Sequence, residues 1–535
     1  MIVHAVLIDA VSIQRYVFGS NKLKENLGGS HLIQGIYRTH LRDAIKEIFP
    51  TCNDTDFDAW EAQPETCFMK THNAPFEIGY IGGGNALLFF KVKDHAIAFI
   101  KEWTKSLLAH APGVVTAVAC DTFDLADDFQ AQNKRLFKKL QANKYQFIPQ
   151  TIIPRHGFTA ECPHTGYSMD IWNEKEDTEE QEYVSSVAHA KITASKAATK
   201  ILEHQFADVL KDTYCFTDQL DKLGQLKGED SHVAIVHIDG NGMGKRFRDA
   251  ESLKAIRDLS KSVRAATVES FRTLLTTITT QFTQIQGELG FDNEKRPFYP
   301  RDDKGNKLVV PIRSIIMGGD DITFVCDGKL GVYFAKIFLE AFEKLIASDK
   351  QPLSACAGIA ITKTKYPFYR GCKLAEQLCK SAKIKRKDER NNGSWLDFHV
   401  AYGGFSGTLE EIRDAHYTAA QGGLLFGPYR TGDHHEYGLN TLTKNIRELT
   451  LTTTPEKQFP RSKFKELRQV ITLNKNATGR FVQELEARGL QLPKITGHSY
   501  QKTLWDNLKT PYFDMVELME FYPLKLEETQ GGQAT

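Results

Sequence analysis

Several features are missing from this chain, and each absence narrows what it can be. Its nine cysteines include no CxxC pair. The nearest approach to a metal-ligand group, Cys162-Pro163-His164, lacks a second pair at zinc spacing, so neither a disulfide framework nor a structural zinc is expected. No apolar run approaches the ~18 residues of a membrane span. The opening MIVHAVLIDAVSIQ carries no basic leader and no sustained apolar core, so no signal peptide is expected. The chain therefore reads as cytosolic, with no membrane partner. An excess of one charge is lacking too, with 68 Lys+Arg against 67 Asp+Glu. Any nucleic-acid contact must come from local patches.

What is present is a folded-protein composition, 41% hydrophobic and 10% aromatic over 535 residues, with room for roughly three or four domains. The stretch RSIIMGGDDITFV, Arg313 to Val325, organises the rest. Two apolar runs flank Gly318-Gly319-Asp320-Asp321, the pattern of two strands joined by a tight turn. Adjacent carboxylates near apolar walls repel and are costly unless a cation compensates them. Upstream, VAIVHID ends a strand on Asp239, which in a sheet lies beside that hairpin. Asp239, Asp320 and Asp321 are thus expected at one edge, as catalytic residues and ligands of two divalent ions, Mg²⁺ or Mn²⁺. The chemistry this suits is attack of a ribose hydroxyl on the α-phosphate of a nucleoside triphosphate, with release of pyrophosphate. Gly240, Gly318 and Gly319 let backbone approach the nucleotide. Lys383, one turn past Cys379 on a following helix, is expected to hold the triphosphate as a point charge.

The order strand-acid, helix, glycine hairpin, helix, strand, helix occurs twice. In the first copy IVHAVLID ends on Asp9, and IGYIGGGNALLFF places Gly84-Asn85 where Asp320-Asp321 stand. This is an internal duplication with one acidic and one blunted unit. Its alternation of strands and helices around a hairpin predicts an α+β fold of two ferredoxin-like palm domains, with helical middle and C-terminal domains. The expected boundaries are 1–145, 146–230, 231–404 and 405–535. Within them a helical stretch follows the first strand to about Phe49, and a basic helix spans Leu125 to Lys144. Another helix is read around Ser185 to Lys211, and a long amphipathic one carries Leu253, Ile256, Leu259, Val263, Phe271, Leu274 and Ile278, with Thr267 as its polar member. After Gly404 the pattern is helices with polar loops.

Weaker motifs fall away. Gly244-Lys245 lacks the first glycine and the Ser/Thr of a P-loop. Asp239-Gly-Asn-Gly opens like an EF-hand, but Ala250 stands where its last ligand belongs. The acidic run Glu174 to Glu182 reads as a solvated loop, and Asp433-His434-His435 as a polar turn. The tail from Glu527 reads as disordered. Lys134, Arg135, Lys138 and Lys139 form a basic helix face, read as solvated and secondarily as an RNA contact.

With these residues in view the chain resembles the large polymerase-cyclase subunit family of type III CRISPR systems. IDAVSIQRYVF and LGGSHLI resemble the family's first palm, HIDGNGMGKRF, IIMGGDDITFV and ACAGIAITKTKYPF its second, and FGPYRT its C-terminal helical domain. The resemblance implies synthesis of cyclic oligoadenylate from ATP with divalent metal, and partners among guide-RNA effector subunits and target RNA. It covers most of the chain but not the HD nuclease domain with which many members begin, nor their zinc-binding insertion, of which ECPHTGYS remains. No DNase activity and no zinc are expected, and a stand-alone cyclase or a homodimer is left open. A diguanylate cyclase has the same palm, but Ile322 follows the acids where its motif has Phe. A non-catalytic, RNA-binding scaffold subunit is the alternative from another class.

Overall fold

The computed structural model describes residues 1–146, 157–174, 182–223, 231–291, 299–302, 304–390, 393–402, 407–432, 437–450, 459–493 and 500–526. Most of the acidic run, the Asp433-His434-His435 turn and the tail lie outside the described residues.

The first unit is a four-stranded antiparallel sheet of β1 (Ile2–Val11), β2 (Phe76–Gly82), β3 (Asn85–Phe90) and β4 (Val115–Asp124), in the order β2-β3-β1-β4. The second repeats it with β5 (His232–Gly240), β6 (Ile312–Gly318), β7 (Asp321–Asp327) and β8 (Ala355–Lys363), in the order β6-β7-β5-β8. This is the ferredoxin-like arrangement the duplication predicts. The repeat extends to detail: both hairpins carry a register shift at the same place, between Ile78 and Tyr80 and between Ser314 and Ile316.

Alternation sorts the side chains of the second sheet between two cores. Val236, Ile238, Ile322 and Phe324 pack with the C-terminal helices, whereas Val233, Ile235 and Val325 face the core shared with the first palm. The helices that position the site are α1 (Leu23–Tyr37), α2 (Lys93–His110), α3 (Phe129–Gln146), α4 (Ser186–Gln205), α5 (Leu253–Thr280), α6 (Gly331–Glu343) and α7 (Phe368–Asp388). Ser185 and Ser252 cap α4 and α5 by accepting from Ala188 N and Ala255 N.

The two palms are joined through α5. Its Arg257, only 1% exposed, donates to Glu77 Oε1 at 2.8 Å, to Gly79 O at 2.9 Å and to Thr66 O at 2.9 Å, all in or beside β2. Ser260 Oγ donates to Ile81 O at 3.1 Å, and Arg264 pairs with Glu61 at 3.0 Å.

Four sequence expectations need correction. The helical stretch to Phe49 is three helices, Ile13–Val17, α1 and Thr39–Ile48. The basic helix starts at Phe129, because β4 runs on to Asp124 to complete its pairing with β1. The helix read to Lys211 stops at Gln205 and is followed by a short turn of helix, Ala207–Leu210. A further strand, β9 (Trp395–Ala401), lies parallel to β8, and β10 (Tyr429–Arg430) pairs with it from within the region read as helical. Beyond these lie α8 (Leu409–His416), α9 (Arg461–Ile471) and α10 (Tyr512–Leu518). Asp514 on α10 ties the FGPYRT segment down, accepting from Phe426 N at 3.0 Å, Gly427 N at 2.9 Å and Tyr429 Oη at 2.5 Å. Among the described residues no helix is long and apolar enough to cross a membrane.

Candidate active site between the palms

The β5/β7 register places Asp239 directly opposite Asp321. Opposite residues in an antiparallel pair share a face, so both carboxylates rise from the same side of the sheet. Asp320 sits in the turn, and its carbonyl accepts from Gly240 N at 3.1 Å. Gly240 is required here: a Cβ would lie 2.8 Å from Asp320 Cβ. Gly319 turns the chain at φ +54°, a left-handed conformation that glycine takes without strain. Thr267, the polar member of the α5 stripe, donates to Gly319 O at 2.7 Å and so anchors the turn.

Lys383 comes to this edge because α7 lies unusually close to the sheet. Gly358 on β8 makes that approach possible, since a Cβ would fall 1.9 Å from Ala375 O. From α7 the Lys383 ammonium reaches Asp239 Oδ2 at 2.5 Å and Gly240 O at 3.3 Å. The lysine expected to hold a triphosphate is thus paired with the strand-end carboxylate itself.

Burial raises the Asp320 carboxyl to about 6, and the charge of Asp239 adds to the rise. Asp321 is pushed well above the usual carboxylate range by burial and then by Asp320 and Asp239. Lys383 is lowered by burial, but the charge and hydrogen bond of Asp239 outweigh this and hold it above its ordinary value. His237 is driven down to about 4 by burial and shares a 2.9 Å hydrogen bond with Thr323, so it is neutral and an unsuitable general base. The donor set consists of hard oxygens crowded at one edge, with Lys383 compensating Asp239, chemistry that fits a divalent cation. As they stand, however, no three His, Cys, Asp or Glu side chains among the described residues form a group placed to hold a metal ion.

The first palm preserves this plan. Asp9 pairs in register with Asn85, and Ala10 N donates to Gly84 O at 3.1 Å, as Gly240 N does to Asp320 O. Asp9 bonds Lys144 from α3 as Asp239 bonds Lys383 from α7. The blunted tip is occupied by tyrosines: Tyr37 Oη donates to Gly84 O, and Tyr80 Oη to Asn85 Oδ1 at 2.5 Å.

The two glycine turns face each other. A Cβ on Gly319 would lie 3.3 Å from Gly83 N. Around them opens a cleft of about 1080 Å³ lined by Asp239, Asp320, Asp321, Gly318, Gly319 and the Gly82-Gly83-Gly84 turn. Gly240 and Lys383 are not part of that lining; Lys383 bonds Asp239 and Gly240 O beside it. Cations absent from the sequence reading also line the cleft: Arg38, Lys261, Arg264, Arg272 and Arg313. Their signal was present on α5, where Lys261, Arg264 and Arg272 share a stripe at helical spacing beside the apolar one.

Elsewhere, the basic face of α3 covers a sheet edge. Arg135 and Lys139 donate to Thr122 O at 2.6 Å and Cys120 O at 2.7 Å on β4, and Lys134 lies 3.7 Å from Asp249. His164 bonds Glu25 and lies 3.2 Å from Lys22 Nζ.

A family model described as Cas10/Cmr2, second palm domain, matches residues 232–392. Solved structures share the fold over 97% of this chain at low identity. One is a Csm1–Csm4 cassette in complex with pppApApA, with TM-score 0.53, 12% identity and 69% of that chain covered. Another is the cassette in complex with cA4, with TM-score 0.52, 13% identity and 70% covered. A third is Csm1 in T. onnurineus, with TM-score 0.51, 13% identity and 70% covered. No curated protein matches the chain in sequence. Residues 232–392 are thus similar to the Cas10/Cmr2 second palm domain, and the fold over nearly the whole chain is similar to that of Csm1.

Proposed function

We propose that the chain is a nucleotidyltransferase that joins ATP into cyclic oligoadenylate, a second messenger of CRISPR-type antiviral defence, with loss of pyrophosphate. The observation that carries this reading is the pairing of Asp239 with Asp321 beside Asp320, at the mouth of a cleft walled by both glycine turns. Asp239, Asp320 and Asp321 would hold Mg²⁺ or Mn²⁺, which supplies Lewis acidity at the reacting phosphate and lowers the pKa of the attacking hydroxyl. Gly318, Gly319 and Gly240 leave the backbone open to the nucleotide. Lys383 neutralises Asp239 and would exchange that carboxylate for a phosphate oxygen when a triphosphate binds. The cationic wall of α5 and Arg38 offsets the charge of the triphosphates. Structural neighbours described with cA4 and pppApApA support adenylate as the building block.

The same neighbours, described as Csm1–Csm4 cassettes, support another protein subunit of an effector complex as a partner. The test is product chromatography with each nucleoside triphosphate. Asp320→Ala with Asp321→Ala is expected to abolish product while the fold persists, and full activity in that variant overturns the mechanism.

A further inference from the structure

The buried stripe of α5 carries two hydroxyls, Ser260 at 5% and Thr267 at 1% exposed. A helix hydroxyl ordinarily turns back on a carbonyl of its own helix, as Ser270 does to Ala266 O at 2.8 Å and Thr273 to Glu269 O at 3.0 Å. Ser260 and Thr267 reach across to other elements instead. Ser260 Oγ donates to Ile81 O at 3.1 Å, just before the Gly82-Gly83-Gly84 turn. Thr267 Oγ1 donates to Gly319 O at 2.7 Å, nearer than the 3.2 Å to Val263 O in its own helix. Glycine permits the first approach, since a Cβ on Gly82 would collide with Ser260 Oγ. Seven residues apart, the two side chains share one face of the helix, two turns or roughly 10 Å from each other along its axis. The Gly319 carbonyl belongs to the peptide that leads into Asp320, whose own carbonyl is held by Gly240 N at 3.1 Å. Both peptides flanking Asp320 are thereby fixed, one by α5 and one by β5.

We infer that Ser260 and Thr267 are positioning residues for nucleotide joining: by gripping one glycine turn each, they make α5 the spacer that sets how far apart the two walls of the palm cleft stand beside the acids. The inference rests on the nucleotidyltransferase reading and adds to it the residues that hold its geometry. Joining requires the attacking hydroxyl of one nucleotide to sit about 3–3.5 Å from the phosphate of another. A cleft walled by two separate palms meets that demand only when its walls are fixed relative to each other. The margin is small, because a Cβ on Gly319 would already lie 3.3 Å from Gly83 N. Arg257 also joins the palms, but its partners Glu77, Gly79 and Thr66 lie outside both turns. Alanine and valine would fill the places of Ser260 and Thr267 without burying a hydroxyl, so what the hydroxyls add is the pair of bonds to the turns. Neither hydroxyl needs to touch a nucleotide; each acts through the backbone it holds.

The test combines steady-state product formation from ATP and Mg²⁺ with hydrogen exchange of the peptides spanning the two turns, in the full chain and its variants. Thr267→Val keeps the shape of the side chain and removes the hydroxyl. It is expected to lower kcat by about tenfold to a hundredfold, the scale of an ångström-sized misplacement, with KM for ATP little changed. Its exchange should quicken around Gly319 and not around Gly83. Thr267→Ser retains the hydroxyl and should restore most of the rate. Ser260→Ala should show the same split between kcat and KM, with exchange quickened around Gly83 instead. Thr273→Val, which loses a hydroxyl bonded within its own helix, should match the unaltered chain. Equal kcat in the unaltered chain, Thr267→Val and Ser260→Ala overturns the inference while the cyclase reading stands, as does a loss in Thr267→Val that Thr267→Ser fails to restore. Unchanged exchange at both turns overturns it whichever way the assay falls. No product from the unaltered chain, with exchange quickened as expected, overturns the cyclase reading and leaves α5 as the spacer of the turns.

Discussion

Asp320 is protonated more readily in the folded chain than in the unfolded one, because burial and Asp239 raise it from 3.8 to about 6. An acid raised on folding binds more protons in the native state, so stability falls as pH climbs from the unfolded value through the folded one. Thermal melts should therefore show stability lost between about pH 4 and pH 6, and the loss should shrink in Asp320→Asn. In the same melts at pH 7, addition of Mg²⁺ should raise the midpoint of the unaltered protein and leave Asp320→Asn nearly unmoved. Asp9 makes a different prediction. The sequence reads its unit as blunted, and Asp9 is 8% exposed and bonded to Lys144. Asp9→Ala leaves that ammonium without its partner and should cost on the order of 1–3 kcal/mol in urea unfolding. Asp239 and the GGDD turn were legible because an acid at a strand end and a glycine pair between apolar runs are local patterns. That Lys383 bonds Asp239 was not, since it depends on how closely α7 packs.

That packing belongs to the scale of elements. Gly358 lies inside the run ACAGIAIT, where nothing local distinguishes it from a weak strand position, yet α7 crosses directly above it. Gly358→Ala should push α7 away and carry Lys383 off Asp239. Expected are a stability loss of roughly 1–3 kcal/mol, the usual result of overpacking, and a fall in product formation. Strand β9 escaped the sequence reading because WLDFHVA follows a complete βαββαβ unit and its pairing with β8 is parallel and non-local. At the C-terminal helices, burial raises Glu517 from 4.5 to about 8, with a smaller opposing pull from Arg468. By the same linkage, Glu517→Gln should flatten the decline in stability between about pH 5 and pH 8, as read by thermal melts.

Across the whole molecule, the repeat of strand order, bulge position and acid–lysine pair places two copies of one design face to face. The duplication was visible as repeated order in the sequence; the cleft between the copies was not, because it depends on non-local contacts such as those of Arg257 with Glu77, Gly79 and Thr66. Arg257→Ala strips the buried Glu77 of its charged partner and should cost about 3–5 kcal/mol, with hydrogen exchange rising along β2. The central claim is that the acids at the mouth of this cleft join nucleotides. Its most direct test is mass spectrometry of the products formed from ATP with Mg²⁺ or Mn²⁺ by the unaltered chain and by Asp320→Ala/Asp321→Ala, each with and without target RNA bound to a guide-RNA complex. Cyclic oligoadenylate and pyrophosphate from the first and neither from the second is the predicted result. Product from both, or from neither under any of these conditions, would contradict it.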